Sequence, residues 1–120
     1  MSTKINLARS VTALAMRKGI CVPQPEEVET YLQRFPELCP HLLVLLPLAK
    51  ASLGYDAELA LEMFVSQESD DCYLSLLVRQ EVYSPSLMPR IRDFSDKHCE
   101  FLVRSEGWFH VTTDFQKPHK

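Results

Sequence analysis

The residue pairs that could bind a metal ion are Cys39-x-His41 and the adjacent His98-Cys99. Together they offer the four sulfur and nitrogen ligands of a tetrahedral zinc site, provided that the two segments meet in the fold. However, adjacent residues on a helix point about 100° apart, so His98 and Cys99 would not both face one ion without distortion. The spacing favours core thiols and ordinary histidines, and we predict no metal site and no cofactor.

General acid–base catalysis would require a histidine and a carboxylate that act on one group. His110 and Asp114 lie on one face of a predicted strand, but four residues along a strand span about 13 Å, so the two cannot touch. Nucleophilic catalysis would need a serine or cysteine beside a base that a third group orients. Ser84 and Ser86 are better explained as helix caps. We therefore predict no catalytic residues.

The composition matches an average globular protein, with 46% apolar and 24% charged residues in a chain of 120, long enough for one hydrophobic core. Three glycines are too few for a phosphate-binding loop. The longest apolar run, Leu42 to Leu46, falls far short of the about 20 residues of a membrane span. No secretory signal is visible and the four cysteines have no paired spacing, so a cytoplasmic protein with free thiols is predicted.

Charge is unevenly distributed along the chain, although the net charge is only −3. The first 20 residues carry no acid and four bases, Lys4, Arg9, Arg17 and Lys18, whereas residues 51–71 carry six acids and no base. Two solvated faces of opposite sign, or steering of a charged partner, would each account for this pattern. A nucleic-acid contact through the basic helix is a weaker alternative, because aromatic residues are not interleaved. We predict neither a nucleic-acid nor a membrane partner.

Two strands and an acidic loop form the centre of the chain. Alternating apolar residues from Leu59 to Val65, and again from Leu74 to Val78, have the period of two that is typical of strands with one buried face. The polar residues 66–71 between them predict an antiparallel hairpin. A third strand is predicted from Trp108 to Phe115, rich in β-branched and aromatic residues.

Helical spacing predicts four helices around these strands: an amphipathic basic helix over residues 4–17, a short helix over about 25–35, an apolar helix ending at Gly54, and a long helix over about 86–104. Pro47 predicts a kink or break in the third helix.

The predicted fold class is α+β, with three N-terminal helices, a β-hairpin, a long helix and a final strand, and a small three-stranded sheet packed by helices. We favour the strand order 3-1-2. We expect residues 1–120 to form one domain, with a separable basic amphipathic helix over 1–19 and a flexible tail over 117–120.

A surface is the remaining functional candidate. If the helices cover one face of the sheet, the other displays six residues that form the candidate face: Phe64, Tyr73, Leu77, Arg79, Trp108 and His110. Aromatic residues with an arginine match the composition of interface centres. A non-catalytic interaction module that acts through self-association or a protein partner is thus the leading hypothesis, and a homo-oligomer is predicted. The alternatives are that an N-terminal helix covers this face, or that Tyr73, Arg79, His110 and Asp114 surround the pocket of a small enzyme or ligand carrier.

Four short motifs occur in a fixed order: Phe35-Pro36-Glu37-Leu38, Gly54-x-Asp56-Ala57-Glu58-Leu59, Tyr73-Leu74-x-Leu76-x-Val78-Arg79 and Val111-Thr112-Thr113-Asp114-Phe115. In this order, over about residues 25–116, they resemble a recurring kind of short uncharacterised prokaryotic protein. The resemblance implies an α+β fold in a bacterial cytoplasmic setting, and it implies no activity.

Overall fold

The computed structural model describes residues 3–65 and 72–118, and of residues 3–5, 65, 103 and 104 only the backbone. The predicted acidic loop at 66–71 and the end of the predicted tail lie outside the described residues. The described chain forms four α-helices, two 3₁₀ turns and a three-stranded mixed sheet, which confirms the α+β class. In chain order the elements are α1 (Thr3–Arg17), α2 (Pro25–Arg34), a 3₁₀ turn (Pro36–Leu38), α3 (Cys39–Leu53), β1 (Glu58–Val65), β2 (Cys72–Arg79), α4 (Leu87–His98), a second 3₁₀ turn (Glu100–Arg104) and β3 (Phe109–Thr112).

Proline and glycine set the limits of the N-terminal helices, as predicted. Pro25 starts α2, and Gly54 ends α3, where its N–H donates to the carbonyls of Ala49 and Lys50. A kink or a break was expected at Pro47; the break does not occur, because α3 continues through this residue. A proline inside a helix costs about 3 kcal/mol. Each buried leucine contributes about 1.5–3 kcal/mol, and α3 buries several along its length, so their burial outweighs the proline.

The predicted long helix is shorter than expected. The α-helical conformation ends at His98, because Cys99 adopts φ −110° and ψ 16°, and a 3₁₀ turn follows. In that turn the N–H of Leu102 donates to the carbonyl of Cys99, and Leu102 remains buried. The tighter three-residue winding changes the direction of the chain and keeps this apolar side chain in the core.

The hairpin prediction is confirmed. β1 and β2 pair antiparallel from Glu58 opposite Arg79 to Val65 opposite Cys72. β3 lies parallel to β2, with Leu74 opposite Phe109.

The preferred strand order 3-1-2 was wrong, since the sheet has the order β1-β2-β3. The other edge of β1 is occupied by Cys21, whose N–H donates to the carbonyl of Leu59 at 2.8 Å and whose carbonyl accepts from the N–H of Leu61 at 2.7 Å. These bonds satisfy backbone groups that an edge strand leaves unpaired. The connector after α1 therefore blocks that edge, and β3 pairs with β2.

The third strand is also shorter than the predicted 108–115. After Thr112, local side chains rather than the neighbouring strand accept the backbone hydrogen bonds. Thr113 Oγ1 accepts from the N–H of Phe115, and Asp114 Oδ1 accepts from the N–H of Gln116. Phe115 has a positive φ of 58°, which turns the chain out of the extended conformation.

The core lies between one face of the sheet and the helices. It includes from the sheet Leu59, Leu61, Leu74, Leu76, Val78, Phe109 and Val111. Helix α1 contributes the fully buried Ala8, Val11 and Ala15, so removal of residues 1–19 would open this core. Within the described residues, no helix is both long and apolar enough to cross a membrane.

Candidate functional site

The strand register places twelve residues of the sheet's second face, here called the outer face, in four rows of three. The first row is Phe64, Tyr73 and Trp108; the second is Glu62, Ser75 and His110; the third is Ala60, Leu77 and Thr112; the fourth is Glu58, Arg79 and Asp114. Trp108 lies one residue before β3 and Asp114 two residues after it; the hydrogen bonds of Asp114 with Arg79 place it in the fourth row. None of the twelve belongs to the hydrophobic core cluster, which contains residues of all four helices. The helices therefore pack on the opposite face.

The first row is aromatic and exposed. The rings of Phe64 and Tyr73 stack with centroids 4.8 Å apart, and His110 meets Tyr73 edge-on at 4.8 Å. Trp108 is 50% exposed and Phe64 is 47% exposed. Two large rings thus face solvent at one end of the outer face.

Helix α2 fixes the backbone of Trp108. The Tyr31 hydroxyl donates to the carbonyl of Trp108 at 3.2 Å and accepts from its N–H at 2.8 Å. The Trp108 carbonyl also accepts from the N–H of Leu74, which extends the pairing between β2 and β3. The indole is therefore carried by a backbone that two elements hold in place.

The second row contains a contact that the sequence did not reveal. Ser75 Oγ and His110 Nε2 lie 3.0 Å apart, because β3 pairs with β2. Burial lowers the pKa of His110, which favours the neutral ring. The alternation along β2 already grouped Ser75 with Tyr73 and Leu77, but only the strand order brings it to a histidine.

A serine next to a histidine is also the first part of a nucleophilic catalytic site. Here no carboxylate among the described residues hydrogen-bonds to the His110 ring, so the third group of a triad is missing. Ser75 is buried as well, with 4% exposure, so a substrate could not reach its hydroxyl without movement. The geometry suits a structural hydrogen bond within the face.

The fourth row is built around Arg79, which is 5% exposed. Its Nε and Nη2 donate to the two carboxylate oxygens of Asp114 at 3.1 and 2.7 Å, and its Nη1 lies 4.0 Å from Glu58 Oε1. The hydrogen bonds to Arg79 hold the pKa of Asp114 below its usual range, and the same contact raises the pKa of Arg79.

Glu62 links the second and fourth rows. Its Oε2 lies 3.1 Å from Arg79 Nη2, although Glu62 is paired with Ser75, four residues before Arg79 on β2. Four strand positions span about 13 Å, so both side chains must extend along the face. The pair Ala60 and Leu77 lies between these two rows, and Ala60 is fully buried.

All six residues of the candidate face lie on the outer face, in the places that the alternation predicted. Phe64 and Trp108 are exposed; Tyr73, Leu77 and His110 are half-buried; Arg79 is buried among carboxylates. The guanidinium of Arg79 therefore orients acids of this face, and the two most exposed of the six side chains are aromatic. A role of these residues in binding a partner stays a prediction.

The four side chains considered for a pocket, those of Tyr73, Arg79, His110 and Asp114, do not converge on one point. They form two separate pairs, Tyr73 with His110 and Arg79 with Asp114. A cleft of about 420 Å³ borders the aromatic row and is lined by Tyr31, Arg34, Phe35, Cys72, Tyr73, Glu106 and Trp108. Only Tyr73 of the four reaches it.

The two Cys/His pairs considered for zinc are each explained by packing. His41 stacks on Phe101 with centroids 4.2 Å apart, and His98 packs on Phe94 at 4.6 Å. Burial raises the pKa of the Cys39 and Cys99 thiols to about 11, which disfavours the thiolate that a metal binds. Across residues 3–65 and 72–118, no three His, Cys, Asp or Glu side chains group so as to hold a metal ion.

In comparisons with known proteins, no family model, no curated protein and no solved structure matches the chain. The geometry of the outer face is therefore the main guide to function.

Proposed function

We propose that this protein is a small non-catalytic interaction module that acts through self-association or a protein partner, and that the aromatic row of the outer face makes the contact. The observation that carries the proposal is the half-exposure of Trp108 and Phe64 on a sheet face that bears no helix. A layered α+β fold normally buries apolar side chains between layers. Here two large aromatic rings remain outside the hydrophobic core that the described residues form.

The chemistry of the row supports binding rather than simple exposure. Aromatic residues are enriched at interface centres, where they provide large contact areas with few rotatable bonds. Phe64 already stacks on Tyr73, and Tyr31 holds the backbone of Trp108. Because these groups are ordered before a partner arrives, less conformational entropy is lost on binding.

The proposed setting is the bacterial cytoplasm. None of the four cysteines forms a disulfide, which suits a reducing compartment. The order of short motifs described for residues 25–116 supports a prokaryotic source.

A matched pair of variants tests the proposal. Phe64→Ser removes an exposed ring from the outer face, and Val44→Ser removes an apolar side chain that is 64% exposed on α3, away from that face. Light scattering after size-exclusion chromatography measures self-association, and affinity capture from the source cells measures binding to other proteins. We expect Phe64→Ser to abolish an association that the wild type and Val44→Ser both retain.

The proposal fails if every association measured is as strong for Phe64→Ser as for the wild type, with both proteins folded by circular dichroism. Loss of association in Val44→Ser alone would move the interface to α3 and would also contradict it.

A further inference from the structure

The outer face has a net negative charge next to its aromatic row. Its twelve residues include three carboxylates, those of Glu58, Glu62 and Asp114, and one guanidinium, that of Arg79, which gives a net charge of −2. No lysine lies on this face. A partner that covers it would therefore gain from a positive charge.

Glu62 is the carboxylate nearest to the aromatic row. It lies two residues before Phe64 on β1, and two strand positions span about 7 Å. Its Oε2 is buried and lies 3.1 Å from Arg79 Nη2, so this oxygen already faces a cation. Asp114, in contrast, accepts two hydrogen bonds from Arg79 and one from the backbone of Gln116. The Glu62 side chain as a whole is nevertheless 24% exposed, so a cation of a partner would approach its exposed part rather than Oε2.

We infer that the partner presents a basic amphipathic helix from another protein to the outer face, with apolar side chains on Phe64 and Trp108 and a lysine or arginine beside Glu62. This inference rests on the proposed function and adds the chemistry of the partner. Residues four apart on a helix lie on the same side and are separated by about 6 Å along its axis. That spacing matches the distance from the aromatic row to the row of Glu62.

A helix is also the element that is missing from the outer face of the sheet. The helices of this chain all contribute to the core on the other face, so none of them covers the aromatic row of the outer face. A partner helix would complete the helix–sheet–helix arrangement.

A second copy of this chain does not fit this description. Its basic helix is α1, but Ala8, Val11 and Ala15 of α1 are fully buried in its own core. That apolar stripe is not free to cover another molecule. Two outer faces packed against each other would bring together two surfaces of the same negative sign, which is unfavourable.

Trp108 is the only tryptophan in the chain, so its fluorescence reports directly on the outer face. The probe is a helical peptide of leucine and lysine of about 14 residues, close to the shortest length at which an isolated helix is stable. A matched peptide has glutamate in place of lysine. We expect the basic peptide to produce a saturable blue shift that weakens with added salt, and the acidic peptide to produce none.

Glu62→Gln tests the predicted ion pair without changing the size of the side chain. It should weaken binding of the basic peptide by about two- to fivefold, the range for a partly exposed ion pair. Glu100→Gln, which removes an exposed acid outside the outer face, should leave the affinity unchanged.

Three results would overturn the inference: equal binding of the two peptides, equal affinities of Glu62→Gln and Glu100→Gln, or a peptide-free dimer that dissociates in Phe64→Ser. The last would support the proposed function through self-association. If peptide binding also proved independent of Phe64 and no association depended on that residue, the proposed function would fail as well.

Discussion

Replacement of Arg79 by methionine should expose the electrostatic role of the fourth row. Methionine retains most of the apolar stem of the arginine and removes only the guanidinium. Glu62 and Asp114 then lose their shared cation. The side chain of Arg79 is 6% exposed, so its charge interactions act at a site with little water.

The cost of this change can be bracketed from burial. Removing one partner of a fully buried ion pair costs about 3–5 kcal/mol. Asp114 and Glu62 retain 33% and 24% of their side-chain exposure, so water compensates in part. We expect a loss of about 2–3 kcal/mol at pH 7. With a urea slope of about 1.5 kcal/mol per molar, the unfolding midpoint should fall by about 1.3–2 M.

The pH dependence gives a second signature. In the wild type, Arg79 depresses the pKa of Asp114, so this carboxylate stabilises the fold above its unfolded pKa, and the contribution is lost as pH falls through the folded pKa. Without Arg79, burial and the neighbouring Glu62 raise the pKa of Asp114 in the folded state. The penalty of Arg79→Met should therefore be largest at pH 7 and shrink as pH falls towards 4.

Urea unfolding followed by Trp108 fluorescence at pH 7 and pH 4.5 measures both effects. Lys97→Met is the control, because its ion pair with Asp93 is about two-thirds exposed and is worth no more than about 0.5 kcal/mol. A loss in Arg79→Met as small as in Lys97→Met, or a penalty that grows at pH 4.5, would refute the assignment of Arg79 as the cation that holds this row together.

Three further predictions concern the elements that support the outer face. Gly107→Ala should destabilise the protein by about 1–3 kcal/mol, measured by thermal unfolding, because the added Cβ would lie 2.6 Å from the Cβ of Phe35; an unchanged melting temperature would contradict this packing. Tyr31→Phe should cost about 1–2 kcal/mol in urea unfolding, because the N–H of Trp108 loses its acceptor; a neutral result would show that water replaces the hydroxyl. Cys39, fully buried with a pKa of about 11, should resist alkylation in the folded protein at pH 8 and react after unfolding, as mass spectrometry would show; rapid labelling of the native protein would argue against it.

Local stereochemistry made much of the fold predictable. The period of two along β1 and β2 assigned Leu61 and Leu76 to the core and Phe64 and Arg79 to the other face, because successive side chains of a strand point to opposite sides. Pro25 and Gly54 marked helix ends for equally local reasons, since proline suits a first turn and glycine suits a cap.

Helix and strand lengths were less predictable, because tertiary contacts override local preference at their ends. The apolar pattern continued past His98 and Thr112, yet the backbone changed conformation directly afterwards. At Pro47 the opposite happened, since burial of the leucines of α3 outweighed a strong local signal for a break.

The arrangement of the outer face depended on the tertiary structure alone. Sequence alternation grouped Phe64, Tyr73 and Trp108 on one side of the sheet, but it contained no information on which strands are neighbours. That choice was made by Cys21, which pairs with the free edge of β1 and leaves β2 to receive β3. The contacts of Ser75 with His110 and of Arg79 with Asp114 follow from it, because each joins residues 35 positions apart that only adjacent strands bring together.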